Sequence, residues 1–145
     1  MGQGGEAPHL RLGAVTEVVS ELGDGGTSWA LRALSAFLAD HPERYGLYVD
    51  VEGTFYPPAA VAAGVPLDRI LLVRASELLV GLRAVELGLR GGVVRVAVVS
   101  VPSGTAPIRP ALYHRLRQRV RDASGALVVV SSQTFVPADV RVCLG

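Results

Sequence analysis

Apolar residues fall along this chain in two rhythms. Short runs rich in valine, leucine and isoleucine occur at "AVTEVV" (14–19), "GLYVDV" (46–51), "RILLVR" (69–74), "RVAVVSV" (95–101), "ALVVVSS" (126–132) and "VRVCL" (140–144). Several are nearly unbroken, as expected of strands covered on both faces in a parallel sheet. Between them the apolar spacing changes to three and four. Thr27 to Ala39 predicts a helix, with Thr27 and Ser28 as candidate caps. A short helix is expected after Pro57 and Pro58, which suit a first helical turn. Ser76 to Arg90 puts Leu78, Leu82, Val85 and Leu89 on one face and stops at Gly91–Gly92. Pro110 to Ala123 carries Leu112, Leu116 and Val120 at helical spacing.

Strands alternating with helices predict an α/β fold of βαβ units: a mostly parallel open sheet flanked by helices on both faces. Neither an internal repeat nor a dividing linker is visible, so residues 12–145 read as one domain. Residues 1–11 read as a flexible N-terminal tail, without the charged-then-apolar design of a signal segment. Ligands of such sheets bind beyond the carboxyl ends of the strands. Ser20–Thr27, Asp50–Phe55, Ser100–Gly104 and Ser131–Gln133 are therefore the segments to read for chemistry.

Composition narrows that reading. Half the 145 residues are apolar, yet charged residues interrupt every run well short of the roughly 20 needed to span a bilayer. A cytoplasmic protein without a membrane partner is expected. The single cysteine, Cys143, excludes an internal disulfide and reads as inert packing. Net charge is +1, which makes no global electrostatic case for nucleic acid. All 14 basic side chains are arginine, so lysine chemistry is excluded. His114 has no partner at ligand spacing, and no metal site is expected.

The stretch "SELGDGGTSW", residues 20–29, lies between a strand run and a helix run. In that arrangement backbone N–H groups can cradle a phosphate. The lysine of GxxxxGK[ST] is replaced by Gly26 and its first glycine by Ser20. With three further segments in order, the stretch resembles the ATPase core of the RecA-type recombinase superfamily. "GAVTEVVSELGDGGTS" is similar to the entry into the phosphate loop, and "YVDVEGTFYP" (48–57) to the stretch after the loop helix. "RVAVVS" (95–100) sits where the Walker B strand falls, and "ALVVVSSQ" (126–133) resembles the strand ending in a phosphate-sensing glutamine.

The resemblance implies a RecA-like P-loop fold with a truncated C-terminal region. It assigns Glu52 to the water-activating glutamate and Gln133 to the phosphate sensor. Ser20, Gly25, Gly26 and Thr27 fall on a vestigial phosphate loop. Gly26 replaces the lysine that serves the β- and γ-phosphates, and Ser100 replaces the aspartate that helps hold magnesium. Losing both removes transition-state stabilisation worth several kcal/mol, and Asp24 adds a negative charge facing the phosphates. No enzymatic activity and no cofactor are expected, with weak ATP or magnesium binding at most. Other roles remain open for what is retained. Glu52 can cap the turn "EGTF", Gln133 can bond strand-end backbone, Asp50 can accept from a turn, and Gly25 and Gly26 can supply positive φ.

Two ATPase-degenerate groups share this likeness: ImuA-like accessory proteins of SOS mutagenesis and translesion synthesis, and SulA, which inhibits division through FtsZ. "TFYPPAAVAAGVPLDRILLVR" (54–74) resembles the ImuA-like group more. The likeness implies a non-catalytic protein acting by contact with a DNA repair or replication partner. The alternatives are a recombinase paralogue that regulates loading, a SulA-like division inhibitor and a weak ATPase completed by a partner. The loop "VPSGTAPIR" is short where recombinases contact DNA, so weak or no direct DNA binding is expected. "RPALYHRLRQRVRD" (109–122) holds five of the 14 arginines. Arg115 and Arg119, and Arg117 and Arg121, form two i,i+4 rows, which read either as a solvated face or as a surface for an acidic partner. The C-terminal run "VRVCL" is a candidate edge for homodimerisation.

Overall fold

A computed structural model describes residues 8–21 and 25–144. The six valine- and leucine-rich runs become strands β1 (Ala14–Ser20), β2 (Tyr45–Asp50), β3 (Ile70–Arg74), β4 (Val94–Ser100), β5 (Ala126–Ser131) and β6 (Val140–Leu144). The helices are α1 (Gly26–Asp40), α2 (Pro57–Ala62), α3 (Leu78–Arg90) and α4 (Pro110–Asp122), with a 3-10 turn at Leu67–Arg69. The strands form one sheet in the order β3-β2-β4-β5-β1-β6, with all neighbouring pairs parallel.

This order explains where the helices lie. From β1 the chain steps over two strands to β2 and on to β3, then turns back to β4 and β5 and over β1 to β6. Right-handed crossovers therefore put the first two helices on one face and the later ones on the other. Leu31, Leu34 and Leu38 of α1 and Ala60 of α2 pack on Val18, Val96, Val98 and Val128. On the opposite face Leu82, Val85 and Leu89 of α3 and Leu116 and Val120 of α4 cover Leu47, Val49, Val99 and Val129. Gly81 marks the closest approach: a Cβ there would collide with Val49 Cγ1. Leu10, within the expected tail, packs against the α1-side cluster.

Several local expectations change. The N-cap of α1 is Gly25, at φ +82°, and neither Thr27 nor Ser28 caps the helix. Cys143 is exposed on β6, not packed. "RILLVR" is not covered on both faces, because β3 is a sheet edge; Leu71 is 45% and Leu72 38% exposed. Among the described residues, no helix is long and apolar enough to cross a membrane.

Candidate functional site

The parallel sheet brings Ser20, Asp50, Ser100 and Ser131 to a common end, because each closes its strand. Register fixes the neighbours: Asp50 pairs with Ser100, Ser100 with Val130, and Val19 with Ser131. The helix following β1 and the loop following β5, with Phe135 and Val136, pack on opposite faces, as do the helices following β2 and β4. Both junctions are of the topological kind at which open α/β sheets take ligands.

At the β1–α1 turn, Ser20 is 3% exposed and Gly26 is buried against it. The two glycines have different reasons to be there. Gly25 adopts the left-handed conformation at φ +82° that an L side chain resists. Gly26 lacks a positive φ; its constraint is space. A Cβ at position 26 would lie 3.0 Å from Val130 Cγ1 and 3.6 Å from Ser20 Cβ. A Cβ at position 25 would stand 3.6 Å from Leu144 Cδ1 of β6. Asp24 lies outside the described residues.

Beneath the first turn of α1 sits Tyr48, 2% exposed, with its ring centroid 4.7 Å from that of Phe55. Burial, reinforced by the charge of Asp50, pushes its phenol up to about 12, while a hydrogen bond with Thr27 pulls the other way. Thr27, expected on a phosphate loop, thus serves a buried tyrosine of the next strand.

Asp50 is 1% exposed and lies one strand across from Ser100, about 4.8 Å away in the ladder. The carboxylate that the resemblance would put on β4 is present on β2, where each of its oxygens holds a backbone N–H. Oδ1 accepts the N–H of Thr54 at 3.0 Å and Oδ2 that of Phe55 at 2.9 Å. Asp50 thus closes the turn that Glu52 was expected to cap. Glu52 itself is exposed, beside Gly53 at φ +72°. Gln133 is also exposed and makes no hydrogen bond to strand-end backbone among the described residues.

The charge balance of these segments is one-sided. Residues 20–28, 50–55, 100–105 and 131–134 contain Glu21, Asp24, Asp50 and Glu52 and no arginine. Nothing within them supplies positive charge to a phosphate. Among the described residues, no group of three or more His, Cys, Asp or Glu side chains is placed to hold a metal ion.

A second carboxylate sits deeper. Glu17 of β1 is 0% exposed, and its Oε2 accepts from the backbone N–H of Phe135 at 2.7 Å and of Val136 at 3.2 Å and from Ser131 Oγ at 3.1 Å. Its Oε1 takes Arg141 Nε at 3.0 Å. Glu17 therefore anchors the connection from β5 to β6 directly after the expected phosphate-sensing position. The glutamate stood in plain view within "AVTEVV"; a polar residue central in a buried run was the available signal.

The arginine rows of α4 divide. Arg115 makes a two-point ion pair with Glu86 of α3, at 2.8 and 3.2 Å. Arg117 lies on Asp139, at 2.7 and 3.0 Å from Oδ1. These two are spent largely within the chain, whereas Arg119 and Arg121 have no such partner among the described residues. The Arg117 charge favours ionisation of the adjacent Tyr113 hydroxyl, yet burial and Asp139 hold that phenol above its usual range. No atom meets hydrogen-bond geometry with the hydroxyl among the described residues. Neither the protein-family models nor the curated proteins compared with this chain give a match.

Proposed function

We propose that this chain is a non-catalytic RecA-like protein that has lost ATP turnover and acts by protein contact in the bacterial DNA damage response, in the manner of ImuA-like accessory proteins. The observation that carries the loss of catalysis is the charge of the strand ends: four carboxylates and no cation in the segments that would face a triphosphate. Phosphoryl transfer relies almost wholly on positioning and positive charge. Tight packing at Gly26 against Val130 and the full engagement of Asp50 by Thr54 and Phe55 support the same reading. The cellular role rests on the resemblance of the four ordered motifs.

Disruption of the gene is expected to lower damage-induced mutagenesis, and the intact gene to restore it. Glu52→Gln and Gln133→Ala genes should restore it equally, because neither residue has a reaction to serve. Failure of Glu52→Gln to complement, with the protein present at normal level, would argue for a working ATPase. Normal mutagenesis in the disrupted strain would remove the proposed cellular role.

A further inference from the structure

At the opposite, amino-terminal end of the sheet, arginines converge on a cleft of about 340 Å³. Arg44 precedes β2, Arg90 ends α3, Arg95 lies in β4 and Arg119 in α4, with Asp122 the one carboxylate beside them. Two of the four are fixed by backbone oxygens. Arg44 Nη1 donates to Gly92 O at 2.9 Å, and Arg95 donates through Nε and Nη2 to Ser124 O at 3.2 and 2.8 Å. A carbonyl orients a guanidinium without neutralising it, so both keep their full charge and further N–H donors. The side chains of Arg90 and Arg119 make no ion pair or hydrogen bond among the described residues. Asp122 already accepts from Gln118 Nε2 at 2.8 Å.

Capping of helix ends explains part of this cluster. The α3 and α4 C-termini both point here, each carrying roughly half a negative charge. Four guanidinium groups exceed what two such ends and one carboxylate require. The remaining wall, chiefly Leu89, Gly92 and Ala123, offers no aromatic ring on which a base could stack. Arginine forks match the oxygens of phosphate, and a cleft of this size suits a small ligand.

We propose that this cleft is a binding site for a phosphate or pyrophosphate group, separate from the vestigial phosphate loop at the other end of the sheet. The proposal goes beyond the contact function and does not depend on it. The test is calorimetry of the full chain with sodium pyrophosphate at low ionic strength. Saturable one-to-one binding is expected, weakened about tenfold or more in each of Arg90→Gln and Arg119→Gln. Among the described residues neither side chain has a hydrogen-bond or ion-pair partner to lose, so each variant should lower the thermal midpoint only slightly, through its lost charge at a helix C-terminus. Arg83→Gln, an exposed arginine of α3 outside the cleft, should bind like the parent. Absence of saturable binding, or equal affinity in all three variants, would overturn the proposal. So would a single-stranded oligonucleotide of about ten thymidines binding more tightly than pyrophosphate and losing affinity in the same two variants, since that marks a nucleic-acid track.

Discussion

Arg141 on the edge strand β6 places its Nε 3.0 Å from Oε1 of Glu17, a carboxylate in β1 that no solvent reaches. The pair joins two neighbouring strands, and the other carboxylate oxygen holds the backbone of Phe135 and Val136. Arg141 is 36% exposed and can be rehydrated, so the cost of losing Glu17 lies in the buried donors of Ser131, Phe135 and Val136 that it leaves unpaired, about 1–3 kcal/mol for each group. Glu17→Ala is expected to lose stability on that scale in urea unfolding. Arg141→Ala should lose less, since Glu17 keeps three hydrogen-bond donors. A Glu17→Ala loss below about 1 kcal/mol would contradict this role.

Asp139 predicts the acid limb of stability. Burial works to raise its carboxyl, but the hydrogen bond from Arg117, the N–H of Val15 and the charges of Arg117 and Arg11 outweigh burial and hold it below its usual 3.8. The folded state therefore binds this proton less readily than the unfolded chain. The stabilisation is complete above pH 3.8 and disappears as pH falls through the lower folded value. The stability gap between the parent and Asp139→Asn should be constant at neutral pH and narrow below pH 3.8. A gap that stays constant into the acid range would contradict the assignment.

Tyr48 predicts the alkaline limb. Its phenol ionises near 10 when unfolded and at about 12 when folded, chiefly because burial disfavours the phenolate. Between those values the unfolded chain gives up the proton and the native one keeps it. Stability should therefore fall as pH rises from 10 towards 12. Tyr48→Phe should flatten that decline, while costing some stability at neutral pH through its lost hydrogen bond with Thr27. An equally steep decline in the variant would show that Tyr48 does not govern it.

The six strands were legible because their aliphatic runs are buried in a parallel sheet and differ from the helical spacing around them. Their order was not, since each crossover is settled by packing between distant segments. The run "RILLVR" looks as interior as "RVAVVSV", yet only the latter lies mid-sheet, which is why Leu71 and Leu72 emerge exposed. Asp50 was legible as a turn acceptor because it sits at a strand end before "VEGTF". The pairing of Arg117 with Asp139 across 22 residues, and of Arg115 with Glu86 across 29, was hidden. Helical spacing reveals neighbours on one helix but not partners on another.

Gly26 and Val130 should be energetically coupled. With a Cβ at position 26 only 3.0 Å from Val130 Cγ1, Gly26→Ala must displace one or the other. Overpacking of this kind costs about 1–3 kcal/mol, offset in part by the helix preference for alanine. Val130→Ala clears the space, so the double variant should be more stable than the two single losses added together. Simple additivity in urea unfolding would show that the turn shifts freely. The same contact means that Gly26→Lys is not a clean restoration of a phosphate loop.

The proposed contact surface on α4 is best probed away from its internal ion pairs. Arg117→Glu would set a carboxylate against Asp139 and disturb the fold, whereas Arg119 and Arg121 have no such partner among the described residues. Arg121→Gln is expected to weaken capture of an acidic partner while lowering the thermal midpoint only slightly, and the capture should fall steeply with salt. Undiminished capture would make α4 a solvated face.

The proposed loss of nucleotide binding is tested most directly by calorimetry of the purified chain with ATP and magnesium. Segments 20–28, 50–55, 100–105 and 131–134 that hold carboxylates but no lysine or arginine, a packed Gly26 and an Asp50 bonded to Thr54 and Phe55 predict a dissociation constant of about a millimolar or weaker. Saturable binding in the micromolar range, abolished by chelating the magnesium, would contradict the account.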